Sequence, residues 1–495
     1  MACMNAPGTA LYAAEQVRDL DRRAIHEFGI PGYELMTRAG HATLNAIRAR
    51  WPRAQSITVL CGPGNNGGDG YVVARVAKAV GLRARVIAAA DPAQLTGDAR
   101  LACDDFLAAG GRCEPWTQAA LDGEVIVDAL YGTGLTREVT GEAARLIAAA
   151  NTSRRPIVAV DIPSGLHADS GAVLGIAARA TLTVTFIGRK VGLYLGAGPE
   201  HCGTILFDTL EVPAATYARS EPLARLLEEP DVSRALPPRH RAAHKGDHGH
   251  VLVIGGGRGM PGAARLAGEA ALRAGAGLVT LAVHPDNAGS VAARPELMCT
   301  AAGTAADVAG ALARATVVAI GPGLGQDAWA RSLLDAAIAS SRPLVVDADA
   351  LNLIAAAPRP LDHWVLTPHP GEAARLLGRT SAEVQADRLG AARELQQRYG
   401  GVIVLKGAGS IVAGPEGATP AVCDRGNPGM AAAGMGDVLT GIVAGIAAQC
   451  GDLGLAARAG VLVHAEAGDL AAVHGERGLL ASDVIAQVRA CVNPA

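Results

Sequence analysis

Two glycine-rich turns carry acidic side chains at spacings that suit chemistry on a phosphorylated ligand. The first is Gly62-Pro63-Gly64-Asn65-Asn66-Gly67-Gly68-Asp69-Gly70, which runs from an apolar segment into an alanine- and valine-rich one. Glycines at a strand-to-helix turn let the backbone approach a ligand, and the helix N-terminus offers N–H groups to an anion. The spacing is neither G-x-G-x-x-G nor a Walker loop, because Lys and Ser/Thr are missing at its end. Asp128 precedes Ala129-Leu130-Tyr131-Gly132-Thr133-Gly134-Leu135-Thr136-Arg137-Glu138, and Asp161 precedes Ile162-Pro163-Ser164-Gly165. Carboxylate, amide and hydroxyl oxygens converging from these turns suit a hard cation such as potassium or magnesium. The second turn, Asn427 to Gly441, holds Asp437 where a helix opens, placed to accept a hydroxyl proton while successive N–H groups stabilise a transferring phosphoryl group. Lys406-Gly407-Ala408-Gly409-Ser410 is another backbone-exposing loop suited to phosphates, and Lys406 fits a carboxylate partner as well as a phosphate one.

The elements that must position these loops follow from periodicity. Ser56–Cys61, Arg85–Ala89, Glu124–Asp128, Pro156–Asp161 and Thr181–Phe186 read as buried parallel strands. Tyr71–Val80 and Leu95–Ala109 read as helices stopped by Gly81 and Gly110. An amphipathic segment, Ala13–Phe28, is expected to pack on the outside. In the second half the predicted strands are His250–Gly255, Leu278–His284, Thr316–Gly321, Pro343–Asp347, Trp364–Thr367 and Val402–Lys406, with Gly436–Ala448 as the last strong helix. The fold class is therefore α/β, with two doubly wound domains. Pro213, Pro222, Pro230, Pro237 and Pro238 interrupt the stretch between, where Leu223–Glu228 reads as a helical turn. The expected division is a domain over 1–219, a linker over 220–240 and a domain over 241–495.

Composition narrows the function. The 495 residues carry 44 Lys plus Arg against 47 Asp plus Glu, a formal charge of −3, which argues against a nucleic-acid binder. Aromatic residues are 3%, too few for base-stacking platforms. The nine cysteines include no C-x-x-C pair, which is a reduced, intracellular pattern. Met1 to Arg18 lacks a basic region followed by an apolar stretch, so no signal peptide is expected. The most apolar run, Val438 to Cys450, is short and glycine-broken, and no membrane partner is expected. These features place the chain in the cytoplasm. Alanine-rich, weakly charged helices point to a homo-oligomer.

The first half resembles the NAD(P)H-hydrate epimerase domain, also called the YjeF N-terminal domain: G-x-G-N-N-G-G-D-G, D-A-L-x-G-T-G and D-I-P-S-G stand at Gly62–Gly70, Asp128–Gly134 and Asp161–Gly165. The resemblance implies a Rossmann-like fold that interconverts the R and S hydrates at C6 of reduced nicotinamide. It implies contacts to the hydrated nucleotide from Asn65, Asn66, Gly67, Gly68 and Asp69, and from Gly132, Thr133, Gly134, Leu135, Thr136, Arg137 and Glu138. Asn66, Asp128 and Ser164 would hold a potassium ion, and Asp161 would sit at the reacting ring as acid/base.

The second half resembles the ribokinase-like fold, and more narrowly the ADP- or ATP-dependent NAD(P)H-hydrate dehydratase. The segments are H-K-G-x-x-G at His244–Gly249, M-P-G-A-A at Met260–Ala264, G-P-G-L-G at Gly321–Gly325, D-A-D-A-L-N at Asp347–Asn352, T-P-H-P-G-E at Thr367–Glu372 and G-M-G-D-V-L at Gly434–Leu439. By resemblance, Ala263, Gly323, His369 and Asp437 lie along the hydrated nucleotide, while Lys406, Gly407, Ala408, Gly409, Ser410 and Gly436 hold the phosphate donor. Mg²⁺ would arrive with ADP or ATP. Many relatives of the wider fold have a small residue where this chain has Met435, which is expected to shape the rim of the anion hole. Asp347 and Asp349, at a strand end, read as structural caps. His240, His244, His248 and His250 could be taken for a metal cluster, but Gly246 and Gly249 break the helix that would align them.

Both halves imply one pathway, the repair of NADH and NADPH hydrates (NADHX and NADPHX) by an isomerase joined to a lyase. Two rivals carry different chemistry. One is a ribokinase-like small-molecule kinase, and the other a non-catalytic scaffold built on the N-terminal domain. A scaffold has no need of the ion ligands and nucleotide loop present here.

Overall fold

The computed structural model describes residues 8–117, 121–289 and 294–493. The chain forms two compact units divided after Arg225.

In the first unit, seven parallel strands lie in the order Cys113–Pro115, Arg83–Ala88, Ser56–Cys61, Val125–Ala129, Ile157–Val160, Leu182–Phe186, Thr204–Asp208. Val127, Val158 and Val160 are wholly buried, as expected of a parallel sheet covered by helices on both faces. The two outermost strands escape notice in the sequence because they are short or partly exposed and lack continuous apolar runs. The order reverses between Ser56–Cys61 and Val125–Ala129, and that switch point is where an open α/β sheet leaves a crevice at its carboxyl edge. Gly81 and Gly110 end their helices at φ +86° and +72°, a left-handed conformation that a Cβ disfavours. The helix after the first glycine turn begins at Asn65 rather than Tyr71, so Asn65 to Gly70 are its opening turns and not a loop. The N-terminal helix Ala14–His26 buries Val17, Leu20 and Ala24 in the core of this unit and is not a mere outer decoration.

The second unit carries seven parallel strands in the order Met298–Ala301, Leu278–Val283, His250–Ile254, Val317–Ile320, Leu344–Val346, Trp364–Leu366, Val402–Leu405. Ser410–Ala413 and Ala421–Cys423 then add two antiparallel strands. The order reverses between His250–Ile254 and Val317–Ile320. Residues 226–240, read from the sequence as linker, belong to this unit. Glu229–Ala235 is a helix with Pro230 in its first turn, where the missing N–H costs nothing, and Leu227, Val232 and Ala235 enter the core. Leu223–Glu228, read as a helical turn, contains the strand Ala224–Leu226 instead. Among the described residues no helix is long and apolar enough to cross a membrane.

Candidate functional sites

In the first unit the glycine turn and the loop after Asp128 meet at the switch point. A Cβ on Gly62 would lie 1.7 Å from the carbonyl oxygen of Leu130, so only glycine permits this approach. Asp128 is 1% exposed. Ser164 clamps it twice, Oγ donating to Oδ1 at 2.6 Å and N–H to Oδ2 at 2.8 Å, and the N–H of Leu130 adds a longer bond. The N–H of Tyr131 donates to Ser164 Oγ at 2.9 Å, which ties the two loops together. Burial raises the Asp128 pKa and these hydrogen bonds oppose it, with no cationic side chain contributing. Asn66 lies against Gly132, 8% exposed, with its Nδ2 unpartnered. Of the three residues expected to hold potassium, Asp128 and Ser164 are in direct contact, and Asn66 lies against the loop that follows Asp128. A buried carboxylate with no cationic side chain beside it suits a monovalent cation. Gly134, Thr136, Arg137 and Glu138 stay exposed on the following loop.

Asp161 sits beside a second charged group that the sequence reading missed. Its backbone is left-handed at φ +69°, and its Oδ1 is ion-paired with Lys190, which is 1% exposed. Asp69 and Asp21 face this pair. Burial, then the negative charges of Asp161 and Asp21, push Asp69 well above the ordinary carboxylate range. Burial pushes Asp21 up to about 6, with Lys190 opposing. Asp21 comes from the N-terminal helix, so that helix helps to form the site. Lys190 carries no sequence signal beyond being a lone lysine after an apolar strand.

In the second unit, loops from the carboxyl ends of five neighbouring strands converge. Gly323, at φ +58°, lies so close to the helix Pro261–Arg273 that a Cβ there would be 3.0 Å from that of Ala263. His369 caps the helix Pro370–Leu377, its Nδ1 accepting from the N–H of Gly371 at 2.9 Å. The helix Met435–Cys450 opens after Gly434, at φ +86°, and presents Asp437 in its first turn. Of the two partners open to Lys406, the carboxylate is the one present: Nζ lies 2.6 Å from Asp347 Oδ1 and 3.9 Å from Glu372 Oε2. Its backbone N–H is also engaged, donating to Pro368 O at 2.9 Å. Lys406 thus faces inward, and Gly407 and Ala408 are the exposed part of its loop.

Asp347 does more than cap the sheet. Its Oδ2 accepts from Thr440 Oγ1 at 2.9 Å, which anchors the helix bearing Asp437 to Lys406. Burial disfavours its charge, but the charge and hydrogen bond of Lys406, with the hydroxyls of Thr440 and Thr367, together outweigh burial and lower its pKa. Asp437 is only partly compensated. Burial and the charge of Asp347 push it up to about 7, against the pull of Lys406. Burial likewise lifts Glu372 to about 7. Arg388 was also missed: its Nη2 reaches the carbonyls of Leu405, Lys406 and Gly409 at 3.2–3.3 Å and so braces the donor loop from behind. Met435 does not shape the rim of the hole. It is 5% exposed and packed in the core, because the helix turns that side inward.

A family model described as NAD(P)H-hydrate dehydratase matches residues 251–489, and one described as YjeF-related protein N-terminus matches residues 32–192. A bifunctional NAD(P)H-hydrate repair enzyme of Coxiella burnetii is 50% identical over 489 residues, 98% of this chain and 100% of that one. Its counterpart from Escherichia coli is 45% identical over 497 residues, 99% of this chain and 95% of that one. Among solved structures, a hypothetic protein from Streptococcus mutans matches with TM-score 0.50 and 28% identity, covering 54% of this chain and all of that one.

Proposed function

The chain belongs to the family of bifunctional NAD(P)H-hydrate repair enzymes, and from that premise we propose that Asp437 is the base of its dehydratase and Asp161 the acid/base group of its epimerase. The observation that carries the dehydratase reading is the setting of Asp437. It lies in the first turn of a 16-residue helix, beside exposed backbone N–H groups, and its pKa stands near neutrality. A general base with a pKa close to the working pH transfers protons most effectively.

The C6 hydroxyl of the hydrate is a poor leaving group. Asp437 takes its proton, the oxygen attacks the terminal phosphorus of the donor, and the donor leaves as AMP from ADP or as ADP from ATP. The ring nitrogen lone pair then expels phosphate, and loss of a proton from C5 of the resulting iminium restores the dihydropyridine. Gly407, Ala408, Gly409, Ser410 and Gly436 supply backbone dipoles where negative charge builds up, and little covalent chemistry falls to the protein. Mg²⁺ brought with the nucleotide would supply further charge neutralisation. Ala263, Gly323 and His369 line the path of the nicotinamide nucleotide. In the first unit Asn66, Asp128 and Ser164 would hold potassium, which neutralises the buried Asp128 carboxylate and so fixes both ligand-facing loops. Because each domain has its own site, either epimer becomes repairable by one polypeptide.

The direct test supplies hydrated NADH with ADP and with ATP in parallel. Recovery of the reduced-nicotinamide absorbance with release of phosphate is expected with at least one donor, and a stable phosphorylated product with no recovery would establish the kinase alternative instead. Acidity gives a second check. Asp437 accepts a proton only when ionised, so kcat/KM for the S hydrate should fall about tenfold per unit below a midpoint near 7. That midpoint belongs to the cluster of Asp437, Glu372 and Lys406 rather than to one carboxyl alone. A flat profile down to pH 5.5 contradicts the assignment.

A further inference from the structure

We propose that Lys190 is a positioning residue of the epimerase site, holding Asp161 so that Oδ1 is committed and Oδ2 is left for the migrating hydroxyl; this rests on the reading of Asp161 as the group at the reacting carbon. An ammonium has three N–H donors. At Lys190 all three are engaged, by Asp161 Oδ1, by Thr185 Oγ1 at 3.1 Å and by the Phe186 carbonyl at 3.2 Å. None remains for a ligand, and the nitrogen is fixed to the end of the strand Leu182–Phe186. Asp161 is held from the same place, Thr185 Oγ1 and the N–H of Phe186 both lying 3.4 Å from its Oδ1. Among the described residues no hydrogen bond reaches Oδ2, and the side chain remains 15% exposed.

Backbone geometry points the same way. Asp161 is left-handed at φ +69°, and Ile187 at φ +60°, a conformation that a β-branched residue rarely adopts. The Ile187 N–H donates to Asp208 O at 2.9 Å and its carbonyl accepts from Tyr217 Oη at 2.8 Å, so the bend carrying the chain to Lys190 is held from two sides. Strain of this kind persists where the surroundings over-determine it, commonly at functional sites. Asp21 and Asp69 complete the group, and neither has a hydrogen-bond partner among the described residues. One ammonium thus serves three carboxyl groups and contacts only the one whose orientation the chemistry needs.

The test uses the full chain and the R hydrate of NADH without nucleotide, following relaxation of the R/S ratio by chromatography. Lys190→Met should lower the epimerisation kcat about 100-fold, the scale of a roughly 1 Å misplacement, with KM changed less than about threefold. Lys190→Arg should keep activity within about tenfold of the parent, because a cation still reaches Oδ1. A Lys190→Met enzyme within about threefold of the parent overturns the proposal. If Lys190→Met does not fold, Thr185→Val decides: it removes one of the three oxygens and should cost several-fold in kcat, and parental activity there overturns the proposal. Asp161→Asn with parental epimerisation would defeat the underlying reading instead, whereas an inactive Asp161→Asn beside a fully active Lys190→Met defeats this proposal alone.

Discussion

Asp437→Ala should reduce dehydration of the S hydrate by about 10³-fold, within the range a general base contributes, and leave epimerisation unchanged. The two effects separate because Asp437 and Asp161 lie in different compact units. Global unfolding is not the expected cause of the loss. The carboxyl stands raised to about 7, above its value in an unfolded chain, so the folded protein binds the extra proton between those two values. Stability from this group is greatest at low pH and declines as pH rises towards 7. Above that, ionised Asp437 is a half-buried charge beside Asp347, and its removal relieves repulsion while the Asp347–Lys406 pair stays intact. The variant should therefore melt no lower than the parent at pH 8. Loss of both activities in a folded variant refutes the independence of the sites, and retained dehydration refutes the role of Asp437.

Asp161→Ala should slow repair of the R hydrate to its spontaneous rate and leave repair of the S hydrate intact. The assay is repair of each purified epimer with donor in excess, where only the R form depends on the first domain. This substitution carries a structural cost that the Asp437 change does not. It leaves Lys190 buried without its carboxylate, which destabilises by about 3 kcal/mol or more, and puts alanine in a left-handed backbone at about 1 kcal/mol. Asp161→Asn avoids the backbone penalty, since asparagine tolerates that conformation, and its amide oxygen still accepts a hydrogen bond from Lys190, although the counter-charge is lost. Both variants should be inactive on the R hydrate. Unchanged R repair in either one contradicts the assignment.

The alternation of apolar runs with alanine-rich segments was enough to read two doubly wound sheets, because parallel strands buried on both faces print their burial directly into the sequence. The loops that matter were legible for a related reason. At the carboxyl end of a strand a ligand site needs glycine for close approach and oxygen-bearing side chains beside it, and Gly62–Gly70, Asp128–Glu138, Asp161–Gly165 and Asn427–Gly441 announce that need locally. Less legible were the edges. Cys113–Pro115 and Thr204–Asp208 lack continuous apolar runs, and residues 226–240 hide three core side chains among prolines.

Local pattern thus settled on which edge of each sheet the glycine-rich loops gather, since strand direction alone sends every such loop to the carboxyl edge. It could not say which charge meets which. Lys190 reaches Asp161 across 29 residues, Lys406 reaches Asp347 across 59, and Thr440 reaches Asp347 across 93. Those pairings depend on strand order and side-chain direction, which exist only once the chain is folded. They select the carboxyl whose pKa is lifted to about 7 and the one held as an anion, because burial and a neighbouring ammonium pull a carboxyl pKa in opposite directions.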